Sequence, residues 1–509
     1  MQPSDWHEHD VSGEYVVDVF GRLRDKSVAC VRIKGFKPYF YVKTQDNPGN
    51  AEKVQRYDVM AGFDSLKTIS VWKVSCSSMS EYHTKIRTIN ADNKAIHENN
   101  KKYGKNYPEK ILYESNLPPF LRLLHDCHLG PGSPIQFQGD EIDIPEDSDT
   151  QEPLFSVDRF FECEWTALRP AQGDIPLKVA CYDLEMCPTE GNQFPMASKD
   201  PIVQIGISYR WSNDMMTPLS KKVFVLGTVD ASEDPLTEHV SCKSETDMLL
   251  KFADSVRQMN PDVMAGYNTF GFDDAYIEDR CRKLGILEEI NLSRAPIAKV
   301  KKGDQWEIKF SETKKFELAS GKYELRYLMM RGRLPIDLLL NMRREHSLDS
   351  FKLDNVASVF LRDKVTQYSD STITTKSTRG LCVNNYVRFD LVGNTTDPYR
   401  EGEKFKVRSV TPTTFTIEAP SDLFADLSEK ELKSLEWTFT KDDVEPHELF
   451  RLHREGGPKG RARIARYCIQ DCDLVLTLMS KLDTIVNARG MADVCKVPMQ
   501  FVLMRGQGI

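Results

Sequence analysis

The 509-residue chain has no apolar run near the length of a membrane span. Its first residues, Met1-Gln2-Pro3-Ser4-Asp5, have neither the basic nor the apolar segment of a secretory leader. A membrane role and export are therefore not expected. Its 12 cysteines are scattered and form no C-x-x-C pair, so the reading is a reduced, soluble, intracellular protein. Internal repeats and long low-complexity tracts are missing as well. Positive charge is also in short supply: 68 Lys and Arg against 76 Asp and Glu give a net charge of −8 and a pI of about 5.8. No field spread over the whole protein draws nucleic acid in, so any DNA must be met through local basic loops and metal ions.

The composition that remains is ordinary for a folded protein, with 40% apolar and 28% charged residues. The length predicts about two to four domains. Residues 14–20, 27–33 and 39–42 read as a β meander, 79–100 as a polar helix, and 118–128 as a short helix opened by proline. Residues 138–152 are acidic and read as an exposed loop.

The rest of the chain is organised around one stretch. Leu177 to Cys187 reads as a buried β run that ends in Asp183-Leu184-Glu185. Alternate side chains of a strand share a face, which puts the two acids about 7 Å apart on the same side. Carboxylates held so close repel, and the strand end calls for a cation and for more acids. Residues 201–209 and 222–226 read as two further strands, giving an antiparallel start to a sheet. A helix over Glu245–Met259 is closed by Pro261, a short strand spans 264–267, and a new helix begins near Asp273. The order β-β-β-α-β-α is that of a mixed sheet in a ribonuclease H-like α/β fold. Residues 335–360 read as a pair of helices. Residues of about 375–440 switch to period-two alternation and read as a small β insertion. The last long helix is expected over 462–482, after a Gly- and Arg-rich loop at 456–461.

On that last helix Asp471 shares an apolar face with Ile464, Cys468, Leu474 and Leu478, with Tyr467 one turn before it. A lone buried carboxylate is costly and points to a partner cation. Asp183, Glu185, Asp273 and Asp471 thus form an acidic set read as free of cysteine, which favours Mg²⁺ or Mn²⁺ over zinc. Two such ions suit in-line phosphodiester hydrolysis. A phenol at Tyr467 fits the orientation of a water, and Asn268 and Phe272 fit the gripping of a sugar and the stacking of a terminal base.

With these residues in view, the chain resembles the family B DNA polymerases. Asp183-Leu184-Glu185 is similar to the family's first exonuclease motif (D-x-E), Asn268 to Asp273 to the second (N-x-x-x-F-D), and Tyr467 to Asp471 to the third (Y-x-x-x-D). Residues 35–42 resemble the family's N-terminal domain, 343–348 the segment after the second motif, and 505–509 the approach to the polymerase palm. The wording around Asn268 and the β insertion are most similar to polymerases of large nucleocytoplasmic DNA viruses. The resemblance implies an N-terminal domain over 1–175, a 3′→5′ exonuclease domain over 176–485 and a return segment over 486–509. It also implies that Asp183, Glu185, Asp273 and Asp471 bind two Mg²⁺ (or Mn²⁺) ions, that Tyr467 and Glu185 place the water, and that Asn268 and Phe272 hold the 3′ end. The implied partners are a DNA primer-template with a single-stranded 3′ end, the palm, fingers and thumb of the same enzyme, and a processivity factor. The implied location is the nucleus or a cytoplasmic viral replication site. Asp274 adds a further acid beside the second motif, open to a swap with Asp273. The family's S-L-Y-P and Y-G-D-T-D-S polymerase motifs do not occur, so nucleotide incorporation by these residues alone is not expected. A DNA-holding scaffold with a silent nuclease site is the alternative.

Overall fold

The structure is a computed structural model that describes all residues except 58–66, 303–304, 319–320, 394, 421, 442–444 and 505–509. The resemblance read at 505–509 therefore lies outside the described residues. The chain divides into two compact units, Met1–Ile175 with Arg489–Phe501, and Pro176–Ala488 with Val502–Ile509. Among the described residues no helix is long and apolar enough to cross a membrane.

The second unit is built on a mixed six-stranded sheet. Its strands are β1 (Lys178–Met186), β2 (Ile202–Trp211), β3 (Ser220–Leu226), β4 (Thr237–Cys242), β5 (Val263–Gly266) and β6 (Leu334–Asp337), in the spatial order β4-β3-β2-β1-β5-β6. β1, β2 and β3 are antiparallel neighbours, while β5 joins β1 and β6 joins β5 in parallel. The edge strand β4 was not expected. Its sequence, Thr237-Glu238-His239-Val240-Ser241-Cys242, has too few apolar residues for a period-two signal, and it is held by parallel pairing to β3.

Ala180, Tyr182 and Leu184 of β1 enter one core with Ile205, Ile207 and Tyr209 of β2. Because the side-chain period is two, that burial turns Asp183 and Glu185 to the opposite face. Helix α1 (Glu245–Met259) covers the core side with Met248, Leu249, Phe252 and Val256. The Ser244 hydroxyl caps its start by accepting from the Asp247 N–H at 3.1 Å, and Asn260, left-handed at φ 44°, ends it just before Pro261. Helix α2 (Asp273–Leu284) follows β5, and helices α3 (Leu338–Glu345) and α4 (Leu353–Phe360) follow β6.

The β insertion starts earlier than the alternation indicated, at Arg362 rather than near 375. Strands Arg362–Ser369, Thr372–Thr375, Thr414–Ile417, Phe405–Val410, Tyr386–Val392 and Leu435–Thr440 pair in that order, and the last returns to the first. Six antiparallel strands thus close into a barrel, and a short seventh, Thr396–Pro398, pairs with the end of Tyr386–Val392 outside the ring. Its interior holds Phe389, Phe415 and Trp437, and the Trp437 indole donates to the Thr375 hydroxyl at 2.9 Å. Arg362 to Ser369 has Val365 and Tyr368 as its only large apolar residues, three apart and so out of step with a period of two, and the first barrel strand carried no alternation to read.

Helix α5 (Pro446–Glu455) then leads into α6 (Gly457–Lys481). The Gly- and Arg-rich stretch expected to be a loop is helical from Gly457 on. Pro458 sits in the first turn, where its missing N–H is no loss.

In the first unit, a five-stranded sheet joins Gln2–Val11, Glu14–Arg22, Val28–Lys34, Arg159–Glu164 and Asp140–Ile142. Part of the acidic segment read as a loop is therefore an exposed edge strand, fixed by its pairing with Arg159–Glu164. A second sheet contains Glu52–Tyr57, Thr68–Ser75, Tyr39–Lys43 and Ile111–Tyr113. Helix Met79–Tyr103 packs on it through Tyr82 and Ile89, which meet Phe40, Val42 and Val74.

Candidate active site

Asp183 pairs in register with Gly206 and Glu185 with Gln204, and the face they share is covered by α6. Gly206 is what lets the helix come so close: a Cβ there would lie 2.8 Å from the Cys468 sulfur. The same approach brings Asp471 over the acidic pair. Burial, and then the neighbouring Asp471 charge, push the Asp183 carboxyl up to about 8, with Lys441 pulling the other way. Burial and the charges of Asp183 and Asp471 raise Glu185 well above the usual carboxylate range. Asp273, in the first turn of α2, is raised by burial and then by Asp183. The four acids thus act on one another, though they come from two strand positions and two helices.

Lys441, which no pattern in the sequence singles out, stands among them. It directly follows the last barrel strand, and its Nζ donates to the Tyr467 hydroxyl at 2.9 Å and to the two Asp471 oxygens at 3.1 and 3.2 Å. It also pairs with Asp354 of α4 at 3.4 Å. The lysine is 26 and 30 residues from Tyr467 and Asp471, beyond any helical or strand periodicity, so only the fold brings them together.

One ammonium does not offset four neighbouring carboxylates, three of which (Asp183, Glu185 and Asp273) are raised, and the set therefore fits divalent cations held by oxygen ligands. The set is not free of cysteine, contrary to the expectation from the sequence. The Cys468 sulfur and the carboxylates of Asp183 and Glu185 have ligand atoms within 4.8 Å of one another. Cys468 follows Tyr467 on α6 and faces the sheet at Gly206, where its thiol donates to the Asp183 carbonyl at 3.5 Å.

The loop between β5 and α2 is fixed from below by Asp337, whose carboxylate accepts from the N–H groups of Asn268 (2.9 Å), Phe270 (3.0 Å) and Leu339 (2.9 Å). Burial still holds this acid up to about 6. The bonds keep Asn268 left-handed at φ 63°, and Gly271 leaves room for it, since a Cβ there would lie 2.4 Å from the Asn268 Oδ1. Phe272 stacks edge-on against Phe194 at 5.4 Å and tilts against Tyr276 at 5.6 Å, and Phe194 is largely exposed. Asp274 faces elsewhere: it accepts from the Tyr182 hydroxyl and from the Leu328 N–H at 2.9 Å, within the core. Lys352 is exposed at the start of α4.

Residues 110–356 match the family model described as DNA polymerase family B, exonuclease domain. That span includes Asp183, Glu185, Asn268 and Asp273 and stops short of Tyr467 and Asp471. The DNA polymerase of Pyramimonas orientalis virus is 36% identical over 317 residues, covering 62% of this chain and 24% of that protein. The DNA polymerase of Acanthamoeba polyphaga mimivirus is 27% identical over the whole of this chain and 37% of its own length. The DNA polymerase delta catalytic subunit of Candida albicans is 25% identical, again over the whole chain and 41% of its length. The chain thus spans about a quarter to two fifths of these relatives. The solved family B DNA polymerase of Pyrobaculum calidifontis shares the fold with a TM-score of 0.57 at 17% identity, covering 98% of this chain and 48% of that one. Over residues 110–356 the chain is thus similar to the exonuclease domain of the family B DNA polymerases.

Proposed function

We propose that the chain is the 3′→5′ proofreading portion of a DNA-directed DNA polymerase, with a ribonuclease H-like nuclease domain that trims mispaired nucleotides from a primer end. The observation that carries this reading is the convergence of Asp183, Glu185, Asp273 and Asp471 beside Tyr467, under one lysine. Asp183, Glu185, Asp273 and Asp471 would hold two Mg²⁺ or Mn²⁺ ions. When bound, such a pair supplies a more acidic attacking water and stabilises the leaving 3′ oxygen.

The chain's own residues position the rest. The Tyr467 hydroxyl and the Glu185 carboxylate orient the attacking water, and Lys441 fixes that hydroxyl and Asp471 in one geometry. Asn268 and Phe272, set by the Asp337-pinned loop, hold the sugar and base of the frayed end. Selectivity comes from fraying, because a mismatched end unpairs into a single-strand site at lower cost than a matched one. The palm, fingers and thumb of the same enzyme, and a processivity factor, belong to this reading as partners.

The test is digestion of 5′-labelled single-stranded DNA by the purified chain with Mg²⁺. Stepwise shortening of the labelled strand that Asp183→Ala abolishes is the expected result. An intact 3′ end, or equal digestion by Asp183→Ala, overturns the reading.

A further inference from the structure

With a net charge of −8, this chain has few places where positive charge stands unanswered. In the Gly- and Arg-rich stretch, Arg461 donates to the Thr228 carbonyl, Arg463 pairs with Glu448 and Arg466 with Glu233. The end of helix Met79–Tyr103 in the first unit is different. Lys101, Lys102 and Lys105 are exposed there, and none of the three forms an ion pair among the described residues. Two tyrosines interleave with them in Lys101-Lys102-Tyr103-Gly104-Lys105-Asn106-Tyr107. Tyr103 is 59% exposed and Tyr107 53%. Each ring has an ammonium beside it: Lys102 Nζ lies 5.0 Å from the Tyr103 ring centre, and Lys105 Nζ lies 5.4 Å from that of Tyr107.

The tip is a built element. Gly104, left-handed at φ 61°, ends the helix, and the segment that follows is laced back onto it by two asparagines. Asn100 accepts from the Tyr107 N–H and donates to the Tyr107 carbonyl, both at 2.9 Å. Asn93, about two turns earlier on the same helix face, does the same for Lys110 at 2.8 and 2.7 Å. Ordering exposed backbone costs entropy, and what is ordered here is a pair of rings held in water rather than a core. Lysines in a last turn suit the helix dipole, which accounts for Lys101 and Lys102 but not for Lys105 or the two rings. Ammonium groups answer phosphates, and exposed rings take the faces of bases. The two kinds interleaved suit a strand whose bases are free, whereas an acidic protein surface would leave the rings idle.

We propose that the tip at residues 101–107 is a binding site for single-stranded DNA, separate from the acidic centre, with bases on Tyr103 and Tyr107 and phosphates on Lys101, Lys102 and Lys105. The choice of DNA rests on the exonuclease reading, while the pairing of rings with ammonium groups selects the unpaired strand. The site grips the body of the strand and needs no free end.

The test is fluorescence anisotropy of the full chain in EDTA with a labelled closed circle of oligothymidylate, which has no 3′ end to enter the acidic centre. The expected result is binding that weakens as salt rises. Changing Lys101, Lys102 and Lys105 together to Gln should lower the slope of log affinity against log salt by about 2, at roughly 0.7 per phosphate on a single strand. Tyr103→Ala and Tyr107→Ala should each weaken binding about fivefold or more and leave that slope unchanged. All of these variants should melt as the parent does. Absence of binding to the circle overturns the proposal. So does full affinity in both tyrosine variants, which would leave only a solvated basic face. Capture of polyglutamate as tightly as the circle, with no loss in the tyrosine variants, would assign the tip to an acidic protein surface and overturn it too. Circle binding without digestion of linear DNA would sink the exonuclease reading and leave the tip standing, and digestion without circle binding would do the reverse.

Discussion

Asp273 and Asp274 stand side by side at the start of α2, and their surroundings lead to opposite expectations for Asp→Asn. Asp274 is buried in the core between the Tyr182 hydroxyl and the Leu328 N–H, and burial pushes its carboxyl from 3.8 up to about 7. The folded chain therefore holds this proton more tightly than the unfolded one. Stability from that proton is fully present below pH 3.8 and is lost as the pH rises through 7, after which it stays level. About three pH units at 1.36 kcal/mol each make roughly 4 kcal/mol, of which roughly 3 kcal/mol is lost between pH 5 and 8. In Asp274→Asn the amide oxygen still accepts from Leu328 and the amide nitrogen can donate to Tyr182, so both contacts survive without a titrating group. Urea unfolding of the parent and of Asp274→Asn in EDTA across that range gives the difference directly, because groups that titrate alike in both proteins cancel. The variant should gain on the parent by roughly 3 kcal/mol from pH 5 to pH 8. It should also keep its nuclease activity within a few fold, while Asp273→Asn loses about a hundredfold or more. A difference that is flat with pH, or an activity loss in Asp274→Asn as deep as in Asp273→Asn, would refute the reasoning.

Lys441→Met removes the only ammonium seen among the four acids within the described residues. In EDTA it should cost about 3 to 5 kcal/mol, the usual penalty for leaving a buried charge without its partner. Thermal melts should show Mn²⁺ stabilising this variant more than the parent, and equal Mn²⁺ shifts would count against the pairing with Asp471. Tyr467→Phe should melt as the parent does but digest single-stranded DNA about a hundredfold more slowly, the scale of a lost positioning hydroxyl; full activity would remove Tyr467 from the reaction. In Gly206→Val the added side chain meets the Cys468 sulfur, so unfolding should come easier by about 1 to 3 kcal/mol. Digestion should fall with it, because α6 carries Asp471; an unchanged rate would show that the close approach of α6 is not needed.

Much of the site's local logic is readable in the residues. Leu184 between Asp183 and Glu185 tells which face of β1 is core, and the structure buries it with Ile205 and Ile207. Helix α1 carries both of its signals, a capping Ser244 and an Asn260 before Pro261, and its ends follow from them. The signals fail where an element is held by its neighbours. β4 is polar and exists by pairing with β3, and the first barrel strand is charged and exists by closing the ring. In the hairpin Ser311–Leu318 with Gly321–Leu328, the second strand alternates Tyr323, Leu325 and Tyr327 with Lys322, Glu324 and Arg326, while the first is charged and is fixed by its pairing.

The sequence by itself determined which acids stand on strand and helix positions able to share a face, because the periods of two and 3.6 are local properties of the backbone. It also determined, through turn and capping residues, where several of those elements stop. The tertiary structure alone decided which acids act on each other, that Asp274 turns into the core while Asp273 feels the charge of Asp183, and that Cys468 lies against Gly206. It also brought Lys441 from the end of the barrel onto Tyr467 and Asp471. The physical reason is the same in each case: burial and Coulomb interaction depend on distance through space, and residues 26 or more positions apart have no distance until the chain has folded.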